Sequence, residues 1–278
     1  KANFKYKLFI GEDFSTDKTR EICLGLKRKY PDKIELLLQN KNTGGYKNAH
    51  DLYKRCYESD AKYIALCDGD DYWTDPLKLQ RQVSFMDANM DYNICAHQTD
   101  VLTNERLEKK EWRWDSNRTT FTCVDYLDAL FFHTSSIMFR HDKSFMFIPD
   151  ISILQGDIFL CLSVVKDKRI FIIDESMSVY RRHQKGLTNS LKHKSYDEKY
   201  KSWMVLLEKF NIQTNNKYRI SVWLKRKTLF FANERNYQVC GRKYNYRGYI
   251  CYFLYKGLFQ FQVRLKAKVT RSAPILID

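Results

Sequence analysis

No stretch of this chain approaches the roughly 18 consecutive apolar residues that a membrane-crossing helix needs, which argues against an integral membrane protein. Paired cysteines are also missing. The eight, Cys23, Cys56, Cys67, Cys95, Cys123, Cys161, Cys240 and Cys251, are scattered with no Cys-x-x-Cys among them, so neither a zinc ribbon nor a dithiol redox motif is encoded. Cys23, Cys56 and Cys67 fall on apolar positions and read as buried, reduced thiols, which places the chain on the cytoplasmic side. There is no Walker lysine motif and no G-x-G-x-x-G, so any phosphate is held by neither cradle. Internal repeats and low-complexity linkers are absent as well. Acid is scarce in the last third: residues 181–278 hold 22 basic and 5 acidic side chains, against 26 and 28 in residues 1–180. The formal charge of +15 therefore belongs to a basic tail on a near-neutral body.

With 44% hydrophobic residues, the body is able to bury a substantial core, which excludes wholesale disorder. Its first 90 residues alternate strand and helix signals. KYKLFI (5–10) is a short apolar strand, and the helix that follows, from about Asp17 to Tyr30, puts Ile22, Cys23, Leu26 and Tyr30 on one face before Pro31 stops it. IELLL (34–38) is a buried strand. A helix over about Gly45 to Tyr57 carries Tyr46, Ala49, Leu52, Tyr53 and Cys56 at helical spacing, and KYIALC (62–67) is a third strand. A third helix begins at Pro76 and turns Leu79, Val83 and Met86 inward. Such β-α-β repetition predicts a mostly parallel sheet flanked by helices. Beyond it, strands are expected at 92–98, 134–140, 169–174 and 177–182, with a helix from about Asp157 to Lys166. From about residue 195 the pattern is helical, without a proline before Pro274. Pattern and charge change together near residue 190, dividing a body (1–190) from a basic, aromatic-rich helical region (191–278).

Ligands of open α/β sheets sit beyond the carboxyl ends of the strands, and two of the first three strands deliver acid there. Glu12 and Asp13 follow the first; Asp68, Asp70 and Asp71 follow the third, in CDGDDYW. Three carboxylates within four residues repel one another unless a cation or a donor-rich ligand lies among them. Capping of the next helix falls more naturally to Asp75, which leaves the run free for a hard divalent ion with bound phosphates. Gly69 suits the tight turn between the flanking acids.

These segments resemble a known family. IGEDFSTDKT, NKNTGGYKN and YIALCDGDDYWTDPLKLQRQ, followed in order by TSSIMFR (134–140), LQGDIFL (154–160) and YRRHQKG (180–186), are similar to family 2 glycosyltransferases of the GT-A fold across roughly residues 5–190. The resemblance implies an inverting, metal-dependent transfer of sugar from a nucleotide-diphosphate donor, a uridine-diphosphate sugar first, to a glycan or lipid-linked glycan. It implies donor contacts at Glu12, Asp13 and Asp68, with Asp13 at the uracil. It puts Mg²⁺ or Mn²⁺ on Asp70 and makes Asp157 the catalytic base. His183 then closes over the diphosphate or the metal, and Arg181 and Arg182 pair with the diphosphate. At the start of a helix, Asp157 is expected to have its pKa lowered by the dipole; as a residue pattern alone it reads equally as an N-cap.

Smaller features fit either packing or binding: Tyr72 and Trp73 after the acids, Trp112 and Trp114 in EWRWDSN, and His133 to Ser136 before a strand. Relatives of this family begin with a further strand and helix that this sequence lacks ahead of residues 5–10, so a fragment of a longer protein is expected. Two other functions compete with transfer: an inactive nucleotide-sugar binding module, and a nucleic-acid-binding protein acting through the tail. Acidic strand ends repel polynucleotide phosphates, so nucleic acid is not the expected partner. The aromatic and basic stretch at 244–262 fits an anionic membrane surface, and peripheral attachment at the inner face of the cell membrane, or a solvated helical face.

Overall fold

The computed structural model describes residues 2–109, 117–129, 131–142, 152–183, 186, 193–239, 254–258 and 260–261. The opening alternation is as the pattern predicts: β1 (Leu8–Glu12), α1 (Thr19–Lys29), β2 (Ile34–Leu38), α2 (Gly45–Tyr57) and β3 (Tyr63–Ala65). β4 (Tyr72–Trp73), α3 (Lys78–Ala88), β5 (Tyr92–Thr103) and β6 (Arg106–Glu108) follow. Then come β7 (Thr120–Phe121), α4 (Cys123–Asp128), β8 (Met138–Arg140), α5 (Gly156–Val165) and β9 (Arg169–Arg182). Two long helices close the order, α6 (Tyr196–Gln213) and α7 (Arg219–Val239).

β1 and β2 pair in parallel, with Leu8 opposite Ile34 and Glu12 opposite Leu38. A second sheet runs β3-β8-β5-β9-β4, with β6 on β5 and β7 on β9. Its spine is the parallel pair β5–β9, which runs from Tyr92 opposite Arg169 to Thr103 opposite Arg182 with shifts of register on the way. The short pairings onto that spine are antiparallel. The two parallel pairs carry the larger share of the paired residues, and the architecture is α/β with a mostly parallel centre flanked by helices.

Several expected elements take another form. The strands expected at 169–174 and 177–182 are one strand, because β5 shifts register between His97 and Thr99 and lets Asp174 and Glu175 bulge out. The 134–140 strand begins as a 3₁₀ turn, Thr134–Ser136, before β8. On α1 only Cys23 is buried; Ile22, Leu26 and Tyr30 stay exposed, as no described element covers that face. On α3 the buried stripe is Lys78, Gln82 and Met86 rather than Leu79, Val83 and Met86, since β5 and the 3₁₀ turn present carbonyls that Gln82 satisfies. Cys67 is exposed, unlike the buried Cys23, because it leaves β3 for the acidic loop.

The core lies between β5, β9 and the helices α4, α5 and α6. α5 buries every residue from Ile158 to Val165, the mark of a helix that is apolar all round. Leu206, Leu207 and Phe210 of α6 and Val222 and Leu224 of α7 join the same core as Phe121, Leu127 and Phe139. α6 starts with a reciprocal cap: Glu198 N–H donates to Ser195 Oγ (3.1 Å) and Ser195 N–H to the Glu198 carboxylate (2.8 Å). No helix among the described residues is long and apolar enough to cross a membrane. Most of the 244–262 stretch, with Trp112 and Trp114, lies outside the described residues.

One ionic contact braces the core from within. Arg118 donates to both oxygens of Asp125, at 2.8 and 2.9 Å, with both side chains buried. Asp125 also accepts from the backbone and hydroxyl of Thr122 and so caps α4. Removing one partner leaves the other charge buried and unpaired. Asp125→Ala is expected to destabilise the fold by about 3–5 kcal/mol in chemical denaturation; a loss below about 1 kcal/mol would assign the pair no structural weight.

Candidate active site

At the end of β1, Glu12 is 2% exposed. It accepts from the backbone N–H of Ser15 (2.6 Å) and from Arg20 Nε (2.5 Å). Burial pushes its carboxyl up, but Ser15 and Arg20 together outweigh that and hold it below its ordinary value. Asp13 accepts on one oxygen from the Thr43 backbone (2.7 Å) and hydroxyl (2.8 Å), while Asn42 Nδ2 donates to its carbonyl (3.0 Å). The loop after β1 is thus tied to the loop that starts α2, where Gly44 takes the left-handed φ of +84°. Phe14, right after Asp13, holds φ at +57°, an uncommon conformation for an aromatic residue.

The acidic run closes on itself through Asp71 N–H donating to Asp68 O (3.0 Å). Gly69 needs no left-handed φ there. Asp75 does accept from Leu77 N–H (2.7 Å) at the entry to α3, so the run itself is spared that task. The loop is then docked on the far end of β9, because β4 pairs antiparallel with it, Tyr72 opposite Val179 and Trp73 opposite Ser178. That pairing carries residues 181–183 to the acids. Arg181 N–H donates to Asp71 Oδ1 (3.0 Å), and the Arg181 guanidinium donates to the Asp70 carbonyl. His183 Nε2 lies 2.9 Å from Asp70 Oδ2, both side chains being about half exposed.

Behind them Asp71 is buried, and its second oxygen faces His133 Nδ1 at 3.5 Å. The His133 ring stacks on Tyr180, with centroids 4.2 Å apart. Beside Asp70 and His183 opens a cavity of about 340 Å³, also lined by Arg181, Arg182, Asn104 and Glu105. Asn104 and Glu105 form the β5–β6 turn with φ of +47° and +65°. The sequence reading assigned them nothing; an Asn turn between VLT and RLE was the available sign.

Asp157 stands in the first turn of α5 and reaches solvent. Its carboxyl is raised, not lowered as a helix-start acid was expected to be: crowding by protein outweighs the backbone N–H groups of Ile158 and Asp157 itself. Its field reaches Asp68, Tyr46 and Tyr53. Asp68 is pushed up to about 6 by desolvation first, then by Asp70 and Asp157. Asp71 is pushed up to about 7, chiefly by burial, against the Arg181 backbone bond. Among the described residues no three His, Cys, Asp or Glu side chains converge as a ready metal cage. Asp70 and His183 remain as two adjoining donors, a carboxylate and an imidazole.

A carboxyl raised by folding stabilises the folded state below its unfolded pKa and loses that contribution as pH climbs through the folded value. For Asp71 the window runs from about 4 to about 7. Asp71→Asn removes the slope, so its stability relative to the parent protein should rise between pH 5 and pH 8 in urea titrations. Parallel curves across that range would contradict the burial assigned to this carboxyl.

Comparison with known proteins bears on the family and the fold. Residues 2–145 match the family described as Glycosyl transferase family 2. The uncharacterized proteins Rv1520 of Mycobacterium tuberculosis and Mb1547 of Mycobacterium bovis are each 30% identical over 203 residues, covering 73% of this chain and 56% of theirs. The chain thus spans little more than half the length of those relatives. Among solved structures, S. aureus TarS 1-349 superposes with a TM-score of 0.61 at 13% identity, covering 92% of this chain and 72% of that one. The mannosyltransferase PcManGT from Pyrobaculum calidifontis, in complex with GDP-Man and Mn²⁺, gives 0.52 at 10% identity, covering 94% and 74%. The fold is that of the GT-A glycosyltransferases, and the match over more than half its length places the chain in glycosyl transferase family 2.

Proposed function

We propose that the chain moves a sugar from a nucleoside-diphosphate donor, a uridine-diphosphate sugar by preference, to a hydroxyl of a glycan or lipid-linked glycan, with inversion at the sugar carbon. The observation that carries this reading is the meeting of Asp70 with His183 across 113 residues of sequence. Asp70 and Asp157 both act on Asp68, and Asp68 and Asp70 both act on Asp71. So dense a set of acids suits a ligand that brings a cation.

Asp70 and His183 are the residues that would hold Mg²⁺ or Mn²⁺. A carboxylate with one imidazole, completed by phosphate oxygens and water, suits those hard ions, which are seldom caged by protein alone. When bound, the ion supplies positive charge against the departing diphosphate. The mannosyltransferase neighbour, solved with GDP-Man and Mn²⁺, supports this type of donor. Asp13 would accept from the nucleobase, on a loop fixed by Thr43, Asn42 and the Glu12–Arg20 pair beneath it. Asp68 would accept from the ribose. Arg181 and Arg182 line the cavity beside Asp70 and present cations to the diphosphate.

Asp157 would take the proton from the acceptor hydroxyl as the oxygen attacks. Its raised pKa makes it the stronger base. We place the reaction on the cytoplasmic side. Exposed Ile220, Trp223, Leu254 and Leu258, among a surplus of Lys and Arg, offer an amphipathic surface for peripheral attachment to anionic lipid.

The full-length protein, given Mn²⁺ and a panel of uridine-diphosphate sugars, should release uridine diphosphate, and it should sediment with anionic vesicles more than with neutral ones. Asp70→Ala should abolish the metal-dependent part. Asp157→Asn should bind donor within about threefold of the parent and lose transfer by about 10²–10⁴-fold. Unchanged turnover in Asp70→Ala would remove the metal assignment, and lost donor binding in Asp157→Asn would make that residue structural. Donor binding with no release from any sugar would mark a binding module instead.

A further inference from the structure

α3 turns an unusual face inward. Lys78 is 1% exposed, and its Nζ has no hydrogen-bond partner. One helical turn on, Gln82 is fully buried and donates to Cys95 O (2.7 Å) and Ser136 O (2.8 Å) while its own Oε1 is unpaired. His97, fully buried close by, bonds the Gln98 carbonyl through Nδ1 (2.7 Å) and leaves Nε2 unpaired. A buried amine without a partner is expensive, and a methionine of similar length would fill the space at no such cost. Burial pulls the Lys78 amine down to about 7. Violations of this kind concentrate where function needs them.

The amine faces an aromatic ring. Its Nζ sits 3.9 Å from the centroid of the Trp73 ring, close enough for a desolvated cation–π interaction. Trp73 follows Asp71 by two residues, and its indole N–H donates to Ser135 O (2.8 Å). Ser135 Oγ in turn meets His133 Nδ1 (3.0 Å) and Ser178 Oγ (3.1 Å). His133 is the ring that faces the second oxygen of Asp71. Pinning the indole therefore pins both the strand that leaves the acidic loop and the turn that faces it.

We propose that Lys78 is a positioning residue for the Asp68–Asp71 loop, its amine fixing the Trp73 indole, and with it the carboxylates, at the expense of stability. The functional part rests on the reading of that loop as the donor site; the mechanical part does not. Lys78→Met in the full-length protein separates the two. The melting temperature should equal or exceed that of the parent, because an unpaired buried amine has gone. Amide hydrogen exchange across residues 68–73 should nevertheless accelerate about tenfold, and the affinity for uridine diphosphate with Mn²⁺ should fall by a similar factor. Trp73→Leu should loosen the same amides, and adding Lys78→Met to it should change their exchange no further.

A clearly lower melting temperature in Lys78→Met would make the amine an ordinary stabilising group and overturn the proposal. Exchange at residues 68–73 equal to the parent's would overturn it too, as would additive effects in the double variant. If the parent itself fails to bind uridine diphosphate with Mn²⁺, the functional reading falls, while exchange and melting still decide the role of Lys78.

Discussion

The docking of β4 onto the far half of β9 is the constraint from which the rest of the site follows. Two residues of antiparallel pairing, Tyr72 to Val179 and Trp73 to Ser178, are a small contact. They act through a rigid partner, since β9 lies in parallel register along β5 at the centre of the sheet. Everything beyond Ser178 is thereby delivered to the acidic loop: Tyr180 behind His133, Arg181 on Asp71 and the Asp70 carbonyl, and His183 on Asp70. The bulge at Asp174 and Glu175 sets the phase of that delivery. Without it the residues after it would be displaced along the register.

Charge is the second constraint, and it opposes the first. Asp68 and Asp71 are raised toward neutrality by desolvation and by their acidic neighbours, and Asp157 by the crowding around α5. The fold holds these groups together with two compensations, the Arg181 backbone bond and the contacts of Asp70 with His183 and Arg181. Repulsion left over in the ligand-free protein is what a cation and a donor-rich ligand would relieve. The helices α6 and α7 of the basic tail are anchored by Leu206, Phe210 and Val222 in the main core.

Much of this was legible in the sequence where the physics is local. Short βα units leave little choice about which residues end a strand, so Glu12 and Asp13 after β1, and Asp68 to Asp71 after β3, could each be placed at a strand end from spacing alone. What escaped reading depended on partners distant in sequence. Ile22, Leu26 and Tyr30 share a helical face, yet whether that face is covered depends on other elements. Lys78 and Gln82 look like surface residues of α3 until carbonyls from Cys95 and Ser136 arrive to bond Gln82. The rise in the Asp157 pKa required the crowding around α5, which no helix-start rule contains.

The central claim is that Asp70 and His183, joined by the β4–β9 docking, form the cation-binding side of a nucleoside-diphosphate site. Crystals grown with Mn²⁺ and uridine diphosphate, measured by anomalous diffraction, test it most directly. A manganese peak within about 2.5 Å of Asp70 Oδ2 and of a diphosphate oxygen is the predicted result, with His183 closing on the same group. Uridine diphosphate bound elsewhere, or bound at this edge with no manganese at Asp70, would contradict the account.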